Sequence, residues 1–508
     1  MKSKQPRDSQ TISLWQNELF EGSKSNFSEQ VIYDVLIVGG GITGITTGLL
    51  LQQQGKSVVI AEGNTIGFGT TGGTSAHLNN FFDSPYPQVE SDFGFEAAQS
   101  LAKAGKQTIS FIKSMVDKYQ IDCDFEYKRG FLFAQDSNES KQLTDILGSS
   151  IKVGIDAKPA DTNGINVPYQ TSIVFADQAQ FHPLKYIYKM AEEFVAAGGI
   201  LLEHTFIRDT TFENDIHITK SDDLQIQSKN LVYATHLPPG INLLDFTCAP
   251  YRSYVLGITL KNNDYPDCLS YDMKEPYHYL RTHTVDGQKY LVAGGEDHKT
   301  GHNDPETAFK NLEDWVSNYY EIASVDYKWS AQYYVPADGL PYIGQLPGGA
   351  NRIYIATGYN GNGMIFGTLS AQIITDLILH KENEYAALFS PSRIKPVAGF
   401  QDFVRENADV AYKFVADRIA VDEIESIKEI EQGNGEIVKY KDEKLAIYKD
   451  NDGKIHALSP VCTHAGCIVH FNKAEQSWDC PCHGGRFDTD GNVLTGPPRL
   501  ELKKVNIQ

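Results

Sequence analysis

Near its C-terminal end the chain carries Cys462, His464 and Cys467 in one short stretch and Cys480, Cys482 and His483 in another. Each stretch offers a thiolate and an imidazole together, so a chain that uses both must fold the two loops face to face around one centre. Two thiolates and two imidazoles suit a binuclear iron-sulfur cluster, with two cysteines on one iron and two histidines on the other. Tetrahedral zinc also takes two cysteines and two histidines, but zinc fingers usually pair cysteine with cysteine and histidine with histidine along the sequence, whereas this chain mixes them. From Glu423 onward, short alternating runs such as Ile437 to Tyr440 and Leu445 to Tyr448, with Asp452 and Gly453 as a hairpin turn, predict small antiparallel sheets.

These loops resemble those of Rieske [2Fe-2S] domains, over about residues 421 to 508. The resemblance implies Cys462 and Cys480 on one iron, His464 and His483 on the other, and a loop-to-loop disulfide between Cys467 and Cys482 of the kind found in high-potential members. One departure stands out. Where those members place Ser and, two positions later, Tyr, whose hydroxyls donate to cluster sulfur, this chain has Gly485 and Phe487. Hydrogen bonds to the sulfurs help set the potential, so the expected value lies below the top of the Rieske range of roughly −150 to +300 mV.

A second signature lies near the other end. The largely apolar, β-branched run from Val31 to Val38 has the character of a buried parallel strand and leads directly into Gly39, Gly40, Gly41 and Gly44. A helix is expected to Gln54, with Gly55 at its C-terminus, then a strand from Ser57 to Ala61 ending at Glu62. This is a βαβ dinucleotide unit: Gly39 makes the tight turn, Gly41 lets backbone approach a pyrophosphate, Gly44 lets helix meet strand, and Glu62 takes ribose hydroxyls. FAD and NAD share it.

Two further segments bear on that choice: the small-residue loop Gly67 to His77, with Thr70 and Thr71, and the late element from Asp338 to Met364, with Gly358, Gly361 and Gly363. Both resemble the D-amino-acid oxidase (DAO) superfamily of FAD oxidoreductases, which includes glycine and sarcosine oxidases. That resemblance implies FAD, and a late helix whose positive N-terminal end faces the flavin. Segments around Asp177, Tyr233 to His236, Tyr277 to Arg281, Gly294 to Gly301 and Trp329 to Gln332 are similar to flavoenzymes in which a DAO-type module is fused to a Rieske domain. Asn362 departs from them, standing where Trp is usual. The expected fold is thus an α/β FAD-binding Rossmann-like module of glycine oxidase type with an α+β substrate domain, followed by an all-β Rieske domain. The divisions are an N-terminal extension over 1–30, the DAO-type module over 31–390, a linker helix over 391–420 and the Rieske domain over 421–508. The helix is read from the amphipathic spacing of Phe400, Phe403, Val404, Ala408, Ala411, Val415 and Ile419.

The combination implies a two-to-one electron converter. The leading expectation is oxidation of a small amine or amino-acid-like substrate at the flavin, with electrons passing through the Rieske cluster to an external one-electron carrier. Reverse flow, from the cluster to the flavin for oxygenation or reduction of a substrate, and a non-catalytic redox sensor are the alternatives. Of the strand residues, Tyr277, Tyr279 and Arg281 share one face and are the candidate catalytic set, Arg281 as a bidentate clamp on a carboxylate, with His278 on the other face. His77 is expected near the flavin or as an ordinary loop histidine. Glu296, Asp297, His298 and His302 are read as a loop end rather than an iron site, and Cys123, Cys248 and Cys268 as buried thiols. With 45 Lys and Arg against 65 Asp and Glu, the formal charge of −20 disfavours a nucleic-acid partner. A polar first 30 residues and the absence of an apolar run of about 18 residues predict a cytoplasmic protein without a membrane span.

Overall fold

The computed structural model describes residues 10–507 except 18–19, 21, 23–25, 349–351, 394–421, 424–428 and 442. The amphipathic run expected to form a linker helix therefore lies outside the described residues.

The strand Ile32–Val38 pairs in parallel with Val58–Ala61 on one side and Gln225–Tyr233 on the other. Helices cover the sheet, so Val35, Leu36, Ile37 and Val38 are all buried and the run is continuously apolar instead of alternating. The helix Ile42–Gln53 follows, and Gly55 sits just beyond it at φ +77°. Ile353–Thr357, remote in sequence, adds in parallel beside Gln225–Tyr233, and the helix Gly363–Ile378 then lies against Ile42–Gln53. The chain thus leaves the nucleotide sheet and returns to it, which is why the two halves of the module are interleaved. The excursion builds a nine-stranded sheet, whose long members are Cys248–Leu260, His278–Val285, Gln288–Lys299 and Ile322–Pro336. Gln288–Lys299 runs as strand to its end, so of the stretch read as a loop end from Gly294 to Gly301 the part up to Lys299 is sheet and only Thr300 and Gly301 turn; Gly294 is what admits the Tyr279 ring, which would lie 2.1 Å from an added Cβ.

The C-terminal region holds two four-stranded sheets, one including Asn434–Tyr440, Glu443–Lys449 and Ile455–Leu458, the other running from His470–Asn472 to Val493–Thr495. The expected hairpin at Asp452 and Gly453 joins antiparallel neighbours. Near the other terminus, Leu14, Trp15 and Gln16 are fully buried: Trp15 Nε1 donates to Thr74 O at 2.6 Å, Ser13 Oγ to Gly72 O at 2.5 Å, and Gln10 N to Glu475 O at 3.1 Å. This part of the N-terminal stretch is an anchor for the Thr70–Gly73 turn and the C-terminal region, a role that two apolar residues in a polar run did not announce. Among the described residues no helix is long and apolar enough to cross a membrane.

Candidate active site: two cofactor cradles across one interface

The nucleotide cradle is made of backbone. Gly39 has φ +111°, and a Cβ there would stand 2.5 Å from Ala234 O; one on Gly44 would stand 1.9 Å from Gly39 O. Both positions exclude every side chain, the first on conformation and contact, the second on contact alone. Glu62 accepts from Gly40 N at 2.7 Å and Asn64 N at 2.8 Å, and burial pushes its carboxyl upward despite those bonds. Thr71 Oγ1 accepts from Ile42 N at 3.1 Å, which fixes the small-residue loop over the helix N-terminus. These groups line a cavity with Ala234, His236, Gly363 and Met364, and its far wall comes from the C-terminal domain through Leu494, Thr495, Pro498 and Arg499. A cradle in which a Cβ has no room, opening at a helix N-terminus, fits a dinucleotide pyrophosphate.

A second cavity of about 630 Å³ meets the first at Thr70, His236, Gln332, Gly363 and Met364. Gly361 and Asn362 border it: Gly361 N donates to Asp83 Oδ2 at 2.9 Å, and Asn362 is the N-cap residue of the late helix. Gly358 takes φ +71° against Pro336. Tyr277 and Tyr279 line this cavity, as does His77, whose Nδ1 is 2.7 Å from Tyr271 OH and which burial, with nearby Arg281, holds well below the usual histidine range. Tyr333 OH donates to Asp297 Oδ2 at 2.7 Å.

Arg281 is not part of it. Its guanidinium is fully buried under the Ser75 and Ala76 carbonyls, donating to them at 2.8 and 2.7 Å, with Nη2 2.7 Å from His283 Nδ1 and the Trp15 ring 5.2 Å away. The expected carboxylate clamp is therefore corrected to a support for the loop that carries His77. His278, on the opposite face of its strand, is held by Asp272 at 2.9 Å and stacks on Trp315 at 4.2 Å. Asp297, considered in the sequence only as part of an unconvincing metal set, is the polar centre of the cavity.

In the C-terminal domain Cys462 and Cys480 are buried with their thiols in contact, and His464 and His483 stand with ring centroids 4.9 Å apart at 88°. Cys467 and Cys482 are joined as a disulfide. The loops are held by Cys462 N to Cys467 O and Cys480 N to Gly485 O, both 2.8 Å. Both ring nitrogens of His483 are buried without a hydrogen-bond partner, and burial holds this imidazole down at about 4. Neutral imidazoles and paired buried thiols are the donor set a [2Fe-2S] centre requires, and an orphaned buried nitrogen is the mark of a missing ligand partner. The three remaining cysteines, Cys123, Cys248 and Cys268, are buried, and burial raises each thiol to about 12.

The histidine edge of that centre faces the nucleotide module. Tyr334 OH donates to His483 O at 3.0 Å, and His464 Nε2 lies 3.4 Å from Asp245 Oδ2. Gln332 donates from Nε2 to Gly484 O at 2.9 Å, while its own carbonyl accepts from Thr70 Oγ1 at 2.8 Å. A single residue therefore touches both the loop shared by the two cavities and the loop that carries His483. Beside it, Glu475 is fully buried between Ser330, with which it hydrogen-bonds, and Arg252 at 3.5 Å, while Arg486 Nε donates to Asp479 Oδ1 at 2.9 Å.

Comparison with known proteins agrees with both halves. The FAD dependent oxidoreductase family (DAO) matches residues 34–377 and the Rieske [2Fe-2S] domain family residues 420–506. A Bacillus subtilis (strain 168) protein named for its Rieske 2Fe-2S centre, YhfW, is 32% identical over 498 residues, covering 97% of each chain. The Escherichia coli (strain K12) gamma-glutamylputrescine oxidoreductase is 22% identical over 367 residues, 69% of this chain and 84% of that one. Glycine oxidase from Geobacillus kaustophilus superposes with a TM-score of 0.59 at 18% identity, over 71% of this chain and 99% of its own. The chain belongs to the DAO family of FAD-dependent oxidoreductases and carries a C-terminal Rieske domain; it is an enzyme of that class, with FAD and a [2Fe-2S] cluster as its cofactors.

Proposed function

We propose that the protein oxidises a small amine or amino-acid-like substrate in the larger cavity and passes the electrons through its own Rieske domain to an external one-electron carrier. FAD supplies a two-electron acceptor for a C–H bond next to nitrogen, and the cluster supplies one-electron transfer. The observation that carries the proposal is Gln332, bonded through its backbone to the loop shared by the cavities and through its side chain to the loop of His483. Tyr334, which has His236 at 5.0 Å on one side and His483 O on the other, makes a parallel connection. His464 and His483 stand against Asp245 and Phe246 of the chain's own flavin module, which supports electron exchange with that module.

For the substrate, Tyr277 and Tyr279 bound the cavity, while Met364 and the late helix close its nucleotide end. The likeness to an oxidoreductase of gamma-glutamylputrescine supports an amine as the reacting group. For the carrier, four of the nine exposed large hydrophobic residues among those described, Ile241, Phe246, Val461 and Leu500, lie in segments around the cluster loops; Thr463 donates to Leu500 O, and Phe246 stands 6.2 Å from His483. An apolar patch beside a redox centre suits a transient electron-transfer partner.

Anaerobic mixing of the holoenzyme with a library of amines tests this, followed by flavin absorbance and by the electron paramagnetic resonance of the cluster. Bleaching of the flavin and then reduction of the cluster is expected. A flavin that no amine bleaches but that reduced ferredoxin reduces by way of the cluster would reverse the direction of flow. Bleaching with a cluster that stays oxidised would remove the intramolecular transfer.

A further inference from the structure

We infer that the larger cavity takes a cationic alkylamine that carries no carboxylate beside the reacting carbon. The inference rests on the reading of this cavity as the substrate chamber and specifies what enters it.

Three carboxylates line the chamber without a cationic partner among the described residues: Asp83, Asp297 and Glu275. A fourth, Asp272, is already matched by His278 at 2.9 Å. The lysine in the wall, Lys274, is committed outward to Glu139 at 2.5 Å and Asp136 at 3.4 Å. His77 is held neutral by burial. Arg281, the group the sequence offers for a substrate carboxylate, is locked under the Ser75 and Ala76 carbonyls and does not reach the chamber. An anionic headgroup would therefore meet negative charge and no fixed positive charge.

The polar detail favours a donor with positive charge. Asp297 has Oδ2 held by Tyr333, while Oδ1 is buried and makes no direct hydrogen bond, with the Ser253 hydroxyl as a polar neighbour of the carboxyl. A buried acceptor left open is costly, and an ammonium group is the ligand that satisfies it with a charge-assisted bond. Around it stand Tyr277 and Tyr279, with ring centroids 5.9 Å apart, and Tyr251 and Tyr333, 6.0 Å apart. Their faces attract cations, and desolvation strengthens the attraction. Burial raises Asp297 to about 7, the behaviour of a carboxyl waiting for a counter-ion.

The test uses the oxidised holoenzyme and a matched pair of amines that differ by one group: pentylamine and its α-carboxylated counterpart norleucine. A non-reacting pair, tetraethylammonium and propionate, is followed alongside by the flavin absorbance shift on binding. Pentylamine is expected to bleach the flavin at concentrations where norleucine does not, and tetraethylammonium is expected to shift the spectrum and propionate not to. Asp297→Asn is expected to weaken tetraethylammonium by about tenfold, the loss of one ion–ion attraction in a partly desolvated site, and Asp83→Asn provides an independent variant should the first fold poorly. Norleucine reacting as well as or better than pentylamine, or propionate binding more tightly than tetraethylammonium, would overturn the inference while leaving amine oxidation through the cluster intact. A flavin that neither amine bleaches, together with cation binding that the Asp297 variant weakens, would instead sink the proposed reaction and support the cationic chamber.

Discussion

Two groups of acids lie on either side of the strand Ile322–Pro336, and they are treated in opposite ways. At the domain interface Glu475 and Asp479 meet Arg252 and Arg486. Burial alone would push Asp479 up, yet the two guanidinium groups, with hydrogen bonds from Asn472 and Ser477, hold it below its ordinary value. In the chamber Asp297 is partly buried and Asp83 opens to solvent; they accept hydrogen bonds from Tyr333 and Gly361 but have no cationic partner among the described residues, and both are raised. The same residue type thus serves two purposes. Where a carboxylate is matched within the chain it holds two domains in register, and where it is left unmatched the fold retains a cost that a ligand relieves.

The largest effect expected from breaking this contrast is at the interface. Glu475→Ala strips the shared partner from Arg252 and Arg486 and leaves two buried guanidinium groups undercompensated, which costs about 3–5 kcal/mol when a buried pair loses one member. The thermal unfolding midpoint of the holoenzyme is expected to fall by several degrees, and cluster reduction after flavin bleaching to slow. An unchanged midpoint would mean that other contacts across the interface, among them the side-chain bonds of Gln332 and Tyr334, secure the docking.

In the chamber the same kind of change is expected to act with the opposite sign. The carboxyl of Asp297 titrates at about 7 in the folded chain and near 3.9 when unfolded. A raised value means that the folded state holds the proton more tightly, so this contribution to stability is complete below about pH 4 and is lost as pH rises through about 7. Asp297→Asn cannot ionise. It is expected to match the parent at about pH 4 and to be more stable above pH 7 by on the order of 2 kcal/mol, with the difference growing between those limits. Unfolding midpoints at both ends of the range check the sign, and a variant less stable than the parent at pH 8 would show that the carboxylate is already satisfied.

How much of this was readable beforehand follows the range of the interactions. The cradle and the candidate cluster ligands were legible because their chemistry is tied to spacing over a few residues: Gly39 takes a positive φ at the turn, Gly44 answers the Gly39 carbonyl close behind it, and Cys462 with His464 and Cys480 with His483 share loops. The reading of strand alternation placed Tyr279 and Arg281 on one face and His278 on the other, and the strand His278–Val285 has that arrangement. What alternation cannot report is what covers each position along the face. Arg281 lies under a loop donated from residues 75 and 76, and Tyr279 reaches the chamber because Gly294, its partner on the next strand, has no side chain. Asp297 was passed over for a related reason: its significance lies in the cations that are not near it, and missing partners have no sequence pattern. The burial of Trp15 among Thr74, His182 and His283 is likewise a tertiary fact hidden in a polar stretch.

The smallest expected effect concerns the cluster itself and separates two departures that look alike in sequence. At Gly485 an added Cβ would lie 2.8 Å from Pro498, in the segment that also walls the nucleotide cavity. A hydroxyl donor at that position therefore costs the docking of the two domains, and Gly485 is explained by packing. Phe487 is different. It is fully buried in the cluster domain, opposite Trp478 on the neighbouring strand, and no contact with the flavin module constrains it. Phe487→Tyr adds the donor that the high-potential Rieske proteins carry, and a hydrogen bond worth about 1 kcal/mol to the reduced cluster corresponds to a rise of about 40 mV for one electron. A redox titration of the holoenzyme, parent against variant, measures it: the parent is expected below the top of the Rieske range and the variant above the parent. A parent already near the ceiling would mean that other donors replace the absent hydroxyls and outweigh the carboxylate of Asp245 beside His464, whose charge favours the oxidised cluster.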